Sequence, residues 1–263
     1  MARTVFARVL TLSAAALSLL SSIAAGGTPA GAAEVKVLTT SNLMPILEGL
    51  TGAFESTTGH KLKIDHAGAA AVRNRVQGGE FADVVIHSRA AINDLLKQTR
   101  IRAGSIANVA RSSVGVAVRK GADKPDIGSD DALRRTLLAA ASIAYPDPAG
   151  GSLGGIYFAS LVERIGIAEA LRPKTKLTGP ATATAELVAK GEAELGVNQI
   201  EGLDTTLGIE LVFPLPPELK GKIVLAAGVA AAARETDAAI AFVKFLSSPA
   251  AAPVIKAKGM EPG

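Results

Sequence analysis

Four stretches of this sequence place small and hydroxyl residues where an apolar run gives way to a helical pattern. They are Thr39-Thr40-Ser41-Asn42, Ala67-Gly68-Ala69-Ala70, Pro148 to Gly155, and Thr178 to Thr184. A helix start leaves its first backbone N–H groups unpaired and carries about half a positive charge. Several such starts converging on one point hold an anion without any Lys or Arg. Taken singly, each stretch is also an ordinary helix cap. Ala149-Gly150-Gly151-Ser152 is the most informative, because four small residues in a row let backbone approach a neighbour closely. It has neither the Lys of a phosphate-binding loop nor the spacing GxGxxG, so it gives nucleotide binding little support.

Proton chemistry has few candidates. His60 follows Gly59 in a turn, whereas His66 and His87 each fall at the end of a strand-like run. A histidine there is either bonded locally or free to bind a ligand or move a proton. Arg73 and Arg75 lie one turn into the helix after Ala67 to Ala70. Arg73 is placed either to clamp a carboxylate through two N–H groups or to decorate a solvated face. Tyr157 reads as a core residue with a satisfied hydroxyl. The chain has no Cys, which excludes disulfides, thiolate metal sites and a Cys nucleophile. HExxH is absent, and neither a metal nor a cofactor is expected. Trp is absent and no basic block is interleaved with aromatics, so no nucleic-acid partner is expected.

The elements that must position these residues alternate. Val35 to Leu38, Lys61 to Asp65, Asp83 to Ile86, Ser113 to Val118, Ser142 to Tyr145 and Ile223 to Val229 read as strands, and Gly191 to Val197 passes from a helix end into one that stops at Asn198-Gln199. Between them Leu43, Ile46, Leu47, Leu50 and Phe54 recur every three or four residues, as one buried helix face requires. Val72 and Val76, Leu95 and Leu96, Ile156, Leu161 and Ile165, and finally Ile240, Phe242, Val243 and Leu246 mark further helices. Asp130 and Asp131 open another, their charges suited to its positive end. Such alternation implies an α/β protein with largely parallel sheets. The chain is expected to cross between two lobes near Val109 to Val116 and again near Leu219 to Val229, and a pair of crossings makes a hinge.

The first residues point to export. Arg3 and Arg8 precede an apolar stretch from Val9 to Ala25, and small residues around Ala30 to Ala33 offer a cleavage site. Residues 1–33 are therefore expected to be a signal peptide, leaving about 230 residues in the periplasm. The net charge of +4 falls to +2 once Arg3 and Arg8 are removed, so the basic balance says little about partners.

Several motifs together resemble the periplasmic molybdate-binding proteins. They are Val37-Leu38-Thr39-Thr40-Ser41-Asn42-Leu43 with Phe54-Glu55 following, Gly78 to Val84, Asp147-Pro148 through Gly155-Ile156-Tyr157, Gly191 to Val197, and Phe245-Leu246-Ser247-Ser248-Pro249. The resemblance runs in order along the whole mature chain. It implies the type II periplasmic binding fold: two lobes, each a mixed, mostly parallel sheet flanked by helices, joined by a two-strand hinge. It also implies lobe 1 over 34–112 and 223–263 and lobe 2 over 113–222, a monomer, a small anion in the cleft and an ABC importer's membrane component as partner.

That family holds its ligand with a first-loop hydroxyl, a second-loop serine, backbone amides on the third and fourth loops, and a tyrosine on the last. Laid on this sequence, the resemblance points to Thr40, Ser41 and Asn42, to Gly68 and Ala69 with Arg73 behind them, to Ala149, Gly150, Gly151 and Ser152, and to Asn198 and Gln199. The second-loop serine is missing and Gln199 stands in the tyrosine's place, which argues against molybdate as the ligand. The chain is also similar to periplasmic aconitate isomerase, an enzyme of the same fold. That likeness implies a proton-moving residue, with His66 and His87 as candidates.

Overall fold

A computed structural model of the chain describes residues 31–179, 182–203, 205–213 and 215–263. All but the last three residues of the expected export signal lie outside the described residues, as do two residues of the Thr178 to Thr184 stretch.

The strands are β1 (Glu34–Thr40), β2 (Lys61–Ala67), β3 (Val84–Ser88), β4 (Ala107–Ser112), β5 (Val114–Arg119), β6 (Ile143–Pro146), β7 (Thr175–Thr178), β8 (Leu195–Gln199), β9 (Ile209–Leu211), β10 (Ile223–Val229) and β11 (Glu261–Pro262). The helices are α1 (Met44–Thr58), α2 (Ala69–Gln77), α3 (Arg89–Lys97), α4 (Asp130–Ala139), α5 (Leu153–Arg164), α6 (Ala168–Leu171), α7 (Ala183–Ala189), α8 (Thr236–Leu246) and α9 (Ala252–Ala257). One sheet has the order β11-β4-β10-β3-β1-β2 and the other β7-β6-β8-β5-β9. The chain passes from the first to the second through Ser113, between β4 and β5, and returns between β9 and β10. These are the two crossings of a two-lobed α/β fold.

Both sheets are mixed, yet less parallel than the alternation of strands and helices suggests. The parallel pairs are β1 with β2 and β3, and β6 with β7 and β8. The hinge strands β4, β5 and β10, with β9 and β11, pair antiparallel. A strand that crosses between lobes runs back along its sheet, so the hinge itself imposes the antiparallel pairs.

Why these residues take these shapes is clearest in the first unit. Ile46, Leu47, Leu50 and Phe54 of α1 are buried, each contributing about 1.5–3 kcal/mol by leaving water. Phe54 meets Phe242 of α8 edge to face at 4.9 Å, which locks the first helix onto the last long one. Gly59 ends α1 in the left-handed conformation, φ +76°, that a side chain disfavours. Ser129 caps α4 by accepting from the Ala132 N–H, so Asp130 and Asp131 sit in the first turn, as expected. Asp83, 1% exposed, accepts from the backbone N–H groups of Lys36, Arg234 and Glu235. Its carboxylate thereby ties β1 and the segment before α8 to the start of β3.

Two expectations need correction. Ile156 does not face the core: it is 45% exposed, and α5 packs inward through Gly154, Gly155, Phe158, Leu161 and Val162. Helix α8 is not the last element, since α9 and β11 follow and close the edge of β4.

Candidate functional site

Parallel pairing decides where the loops go. Thr40 of β1 is level with Ala67 of β2, and β3 ends at Ser88 on the same edge. In the other sheet Pro146 is level with Thr178, and β8 ends at Gln199. Each lobe therefore brings three carboxyl strand ends to one edge, where open α/β sheets bind ligands.

The two edges meet. A Cβ built on Gly68, at the start of α2, would lie 3.6 Å from the Gly150 carbonyl oxygen. One built on Gly151 would lie 2.6 Å from the Ala70 nitrogen. Gly151 also has φ +79°, so both conformation and space exclude a side chain there. The other glycines of this run serve packing. A Cβ on Gly154 would strike Asn198 Oδ1 at 2.6 Å, and one on Gly155 the Pro146 carbonyl oxygen at 2.0 Å. The run Gly150-Gly151-Ser152-Leu153-Gly154 also fits the spacing GxSxG of a hydrolase nucleophile. Ser152 instead has an ordinary extended backbone, φ −68° and ψ 125°, and its hydroxyl caps α5 by accepting from the Gly155 N–H.

The third loop offers fewer amides than expected. The Ala149 N–H donates to Asp147 Oδ1, the Gly150 N–H to the Asp147 carbonyl and the Gly151 N–H to the Pro148 carbonyl. A short helical turn with Asp147 as its cap consumes them. On the second loop α2 starts at Gly68 with no side-chain cap, so its first-turn N–H groups have no side chain to answer them. Arg75 is occupied by Asp65 and Glu80, whereas Arg73 is exposed on the same helix.

The first loop carries polar groups that the protein itself does not satisfy. The hydroxyls of Thr39 and Thr40, 0% and 2% exposed, have no hydrogen-bond partner. Adjacent strand residues face opposite ways, so Thr40 shares the face of Leu38, which packs with Val72 of α2. Ser41 is exposed and its Oγ lies 3.1 Å from His66 Nδ1. That contact leaves His66 Nε2 with no hydrogen bond.

His87 is different. It is 3% exposed, its Nε2 lies 2.8 Å from the Ala69 carbonyl oxygen, and its Nδ1 accepts from the Ser88 N–H at 2.7 Å. A carbonyl only accepts, so Nε2 carries the proton and both nitrogens are in use. Burial, with Arg73 adding a smaller push, lowers the pKa of this ring below the ordinary histidine value. His87 is a neutral strap that fixes the first turn of α2, not a free base.

On the last loop Asn198 and Gln199 are both buried. Asn198 Oδ1 accepts from the Gln199 N–H, and Gln199 Nε2 donates to Glu201 Oε1 at 2.8 Å. Glu201 was not among the residues singled out in the sequence. Ser112 Oγ, from the other lobe, lies 2.9 and 2.8 Å from its two carboxylate oxygens. Asn42 also helps hold its charged form, although Asn42 Nδ2 makes no hydrogen bond of good geometry. Burial outweighs these donors and pushes the Glu201 carboxyl up to about 7. No charged neighbour is among the causes of that shift. In the short turn after β8, between Ile200 and Gly202 and carrying no motif, it had no sequence signal beyond its place two residues past Gln199.

The structure therefore brings Thr40, Ser41, Asn42, Gly68, Ala69, Gly150, Gly151, Ser152, Asn198 and Gln199 to the facing edges of the two lobes, with Ala149 on the same turn and Arg73 exposed one turn into α2. Among the described residues no group of three or more His, Asp or Glu side chains is placed to hold a metal ion.

Two lobes on a two-strand hinge, with strand ends facing across a seam, define a periplasmic-binding-protein-like fold. Residues 35–261 match the family described as bacterial extracellular solute-binding protein, and the chain belongs to that family. It is 30% identical over 263 residues to an aconitate isomerase from Pseudomonas sp, covering 98% of each chain. It is 28% identical over 238 residues to the molybdate-binding protein ModA of Azotobacter vinelandii, covering 88% of this chain and 90% of that one. The sulfate-binding protein SubI from Mycobacterium tuberculosis shares the fold, with a TM-score of 0.70 and 19% identity over 88% of this chain and 87% of that one.

Glu201 ties stability to pH. Its folded pKa of about 7 stands above the unfolded value of 4.5, so between the two the folded state binds more protons. Stability is then lost as pH rises through that interval, and the full penalty applies above it. Glu201→Gln is expected to be more stable than wild type by up to about 3 kcal/mol at pH ~8, and equal to it at pH ~4. Urea unfolding at both pH values checks this; a difference that does not change with pH contradicts it.

Proposed function

We propose that this protein is a periplasmic substrate-binding protein that closes on a small organic carboxylate or oxyanion and delivers it to the membrane component of an ABC-type importer. The carrying observation is the approach of Gly68 to Gly150 and of Ala70 to Gly151, which puts helix starts and strand ends of both lobes around one seam. Molybdate and sulfate binding by relatives of the same fold supports an anion. The lobes on this reading are 34–112 with 223–263, and 113–222; residues 1–33 direct export, and the protein acts as a monomer. Thr40, Ser41, Asn42, the open amides of α2 at Ala69, Ser152, Asn198 and Gln199 are the ligand-facing groups, with Arg73 at the rim. A carboxylate is favoured over a tetrahedral metal oxyanion, because the second loop lacks a hydroxyl and the amides of Ala149, Gly150 and Gly151 are consumed within their own turn.

A second reading, an isomerase of an unsaturated tricarboxylate, has its own support. The 30% identity with an aconitate isomerase runs along nearly the whole of both chains, and His66 has one ring nitrogen free beside Ser41. In such a reaction a C–H bond of the methylene group breaks and its proton passes to His66 Nε2. The electron pair becomes the new C=C bond as the old one opens, and the proton returns to the former vinyl carbon. Nothing is oxidised or reduced.

The first reading is expected to show as a rise in melting temperature with at least one of sulfate, molybdate, citrate or trans-aconitate at saturation, by linkage. No shift with any of them would sink it. The second is expected to show as interconversion of cis- and trans-aconitate, followed by proton NMR, at a rate at least about a hundredfold lower in His66→Ala. Absence of turnover, or full turnover in His66→Ala, would remove that role for His66.

A further inference from the structure

We propose that the cleft takes up its anion together with one proton, which Glu201 carries. The inference rests on the reading of the cleft as an anion site and adds to it the co-bound proton and the residue that holds it.

The placement of Glu201 carries the argument. Its carboxylate lies at the seam, bonded to Gln199 of the last loop and to Ser112 of the opposite lobe, with Asn42 of the first loop beside it. Gln199 and Asn42, one from each lobe, are among the side chains expected to hold the ligand. An anion held between them therefore sits next to a carboxylate. Two negative charges in a space shielded from water repel strongly, and the arrangement is relieved when one carboxylate takes a proton.

Among the described residues no cation acts on Glu201: Arg73, exposed at the rim on α2 and near His87, is not among the causes of its shift. Ser112, Asn42 and Gln199 are neutral. Arg111 precedes Ser112 on β4 but is exposed on the other face and level with Glu261. Lys258, on the turn whose Gly259 faces Ile200, is exposed. His66 is engaged with Ser41 on the first loop, and His87 lies behind Ala69. Burial brings Glu201 to about 7 in the free site, so it is ionised at pH ~8 until a nearby anion pushes it further up and it takes a proton.

Protonation also supplies what the site lacks. The amides of Ala149, Gly150 and Gly151 are turned inward, and the second loop has no hydroxyl. A neutral Glu201 is a donor, and a donor can face an anion.

The test is calorimetric titration of the purified protein with trans-aconitate and with sulfate, from pH ~6 to ~9. Above about pH 7.5 affinity is expected to weaken about tenfold per pH unit, as one linked proton requires. At pH ~8, binding enthalpies in buffers of different ionisation enthalpy are expected to report about one proton taken up per anion. Glu201→Gln, a permanent donor, is expected to abolish the uptake and to bind more tightly than wild type at pH ~9. Binding that is independent of pH, without uptake, overturns the inference and leaves the anion site standing. Uptake that persists in Glu201→Gln but is lost in His66→Ala puts the proton on His66 and overturns it as well. If neither anion binds at any pH, the anion site falls and the inference with it. The wild-type uptake can be read even if the variant does not fold.

Discussion

The contact on which the rest depends is the meeting of Gly151 with Ala70. One is the end of a short turn after β6, the other the first turn of α2, and between them there is no room for a side-chain atom. That approach turns two separate α/β units into one site. It also explains the density of glycine after Asp147 better than ligand contact does, since Gly151, Gly154 and Gly155 each face backbone or a buried amide at less than van der Waals distance from any added carbon.

Around that contact the protein spends its polar groups unevenly. Asp147, Ser152 and His87 are occupied in holding turns and helix starts. Thr39, Thr40 and the Asn42 amide are buried without good partners, at the end of β1 and in the turn after it. Buried donors and acceptors left unpaired are costly, so native structures keep few of them without reason. Here they gather where β1 ends and α1 begins, at the seam between the lobes. Glu201 completes the contrast: a carboxylate at the seam whose only support comes from neutral neighbours.

Much of the fold was legible in the sequence because burial imposes a period. The face of α1 read from Ile46, Leu47, Leu50 and Phe54 is the buried face, and the strands at Val35, Asp83 and Ile223 fall where their apolar runs suggest. The short strands β9 and β11 were not legible, since two or three residues carry no period. Ile156 misled because an exposed isoleucine on a helix with two inward glycines inverts the usual pattern. The loop tips of the site were legible from their small and hydroxyl residues. Which amides they spend internally was not, because that depends on Asp147 reaching back to Ala149. The fates of His66 and His87 differ for the same reason: both end strands, but only His87 lies over a helix start with a carbonyl to meet it. Glu201 was hidden altogether, because its environment is made by Ser112 and Asn42, far away in sequence and on the other lobe.

The central claim is that strand ends from both lobes surround one anion. Hydrogen exchange of backbone amides, with and without saturating trans-aconitate or sulfate, tests it most directly. The account predicts slower exchange in four segments at once, around Ser41 to Leu43, Ala69 to Ala71, Ser152 to Gly154 and Gln199 to Glu201, with little change elsewhere. Protection confined to one lobe, or centred on the outer surface near Arg111 and Lys220, would contradict it.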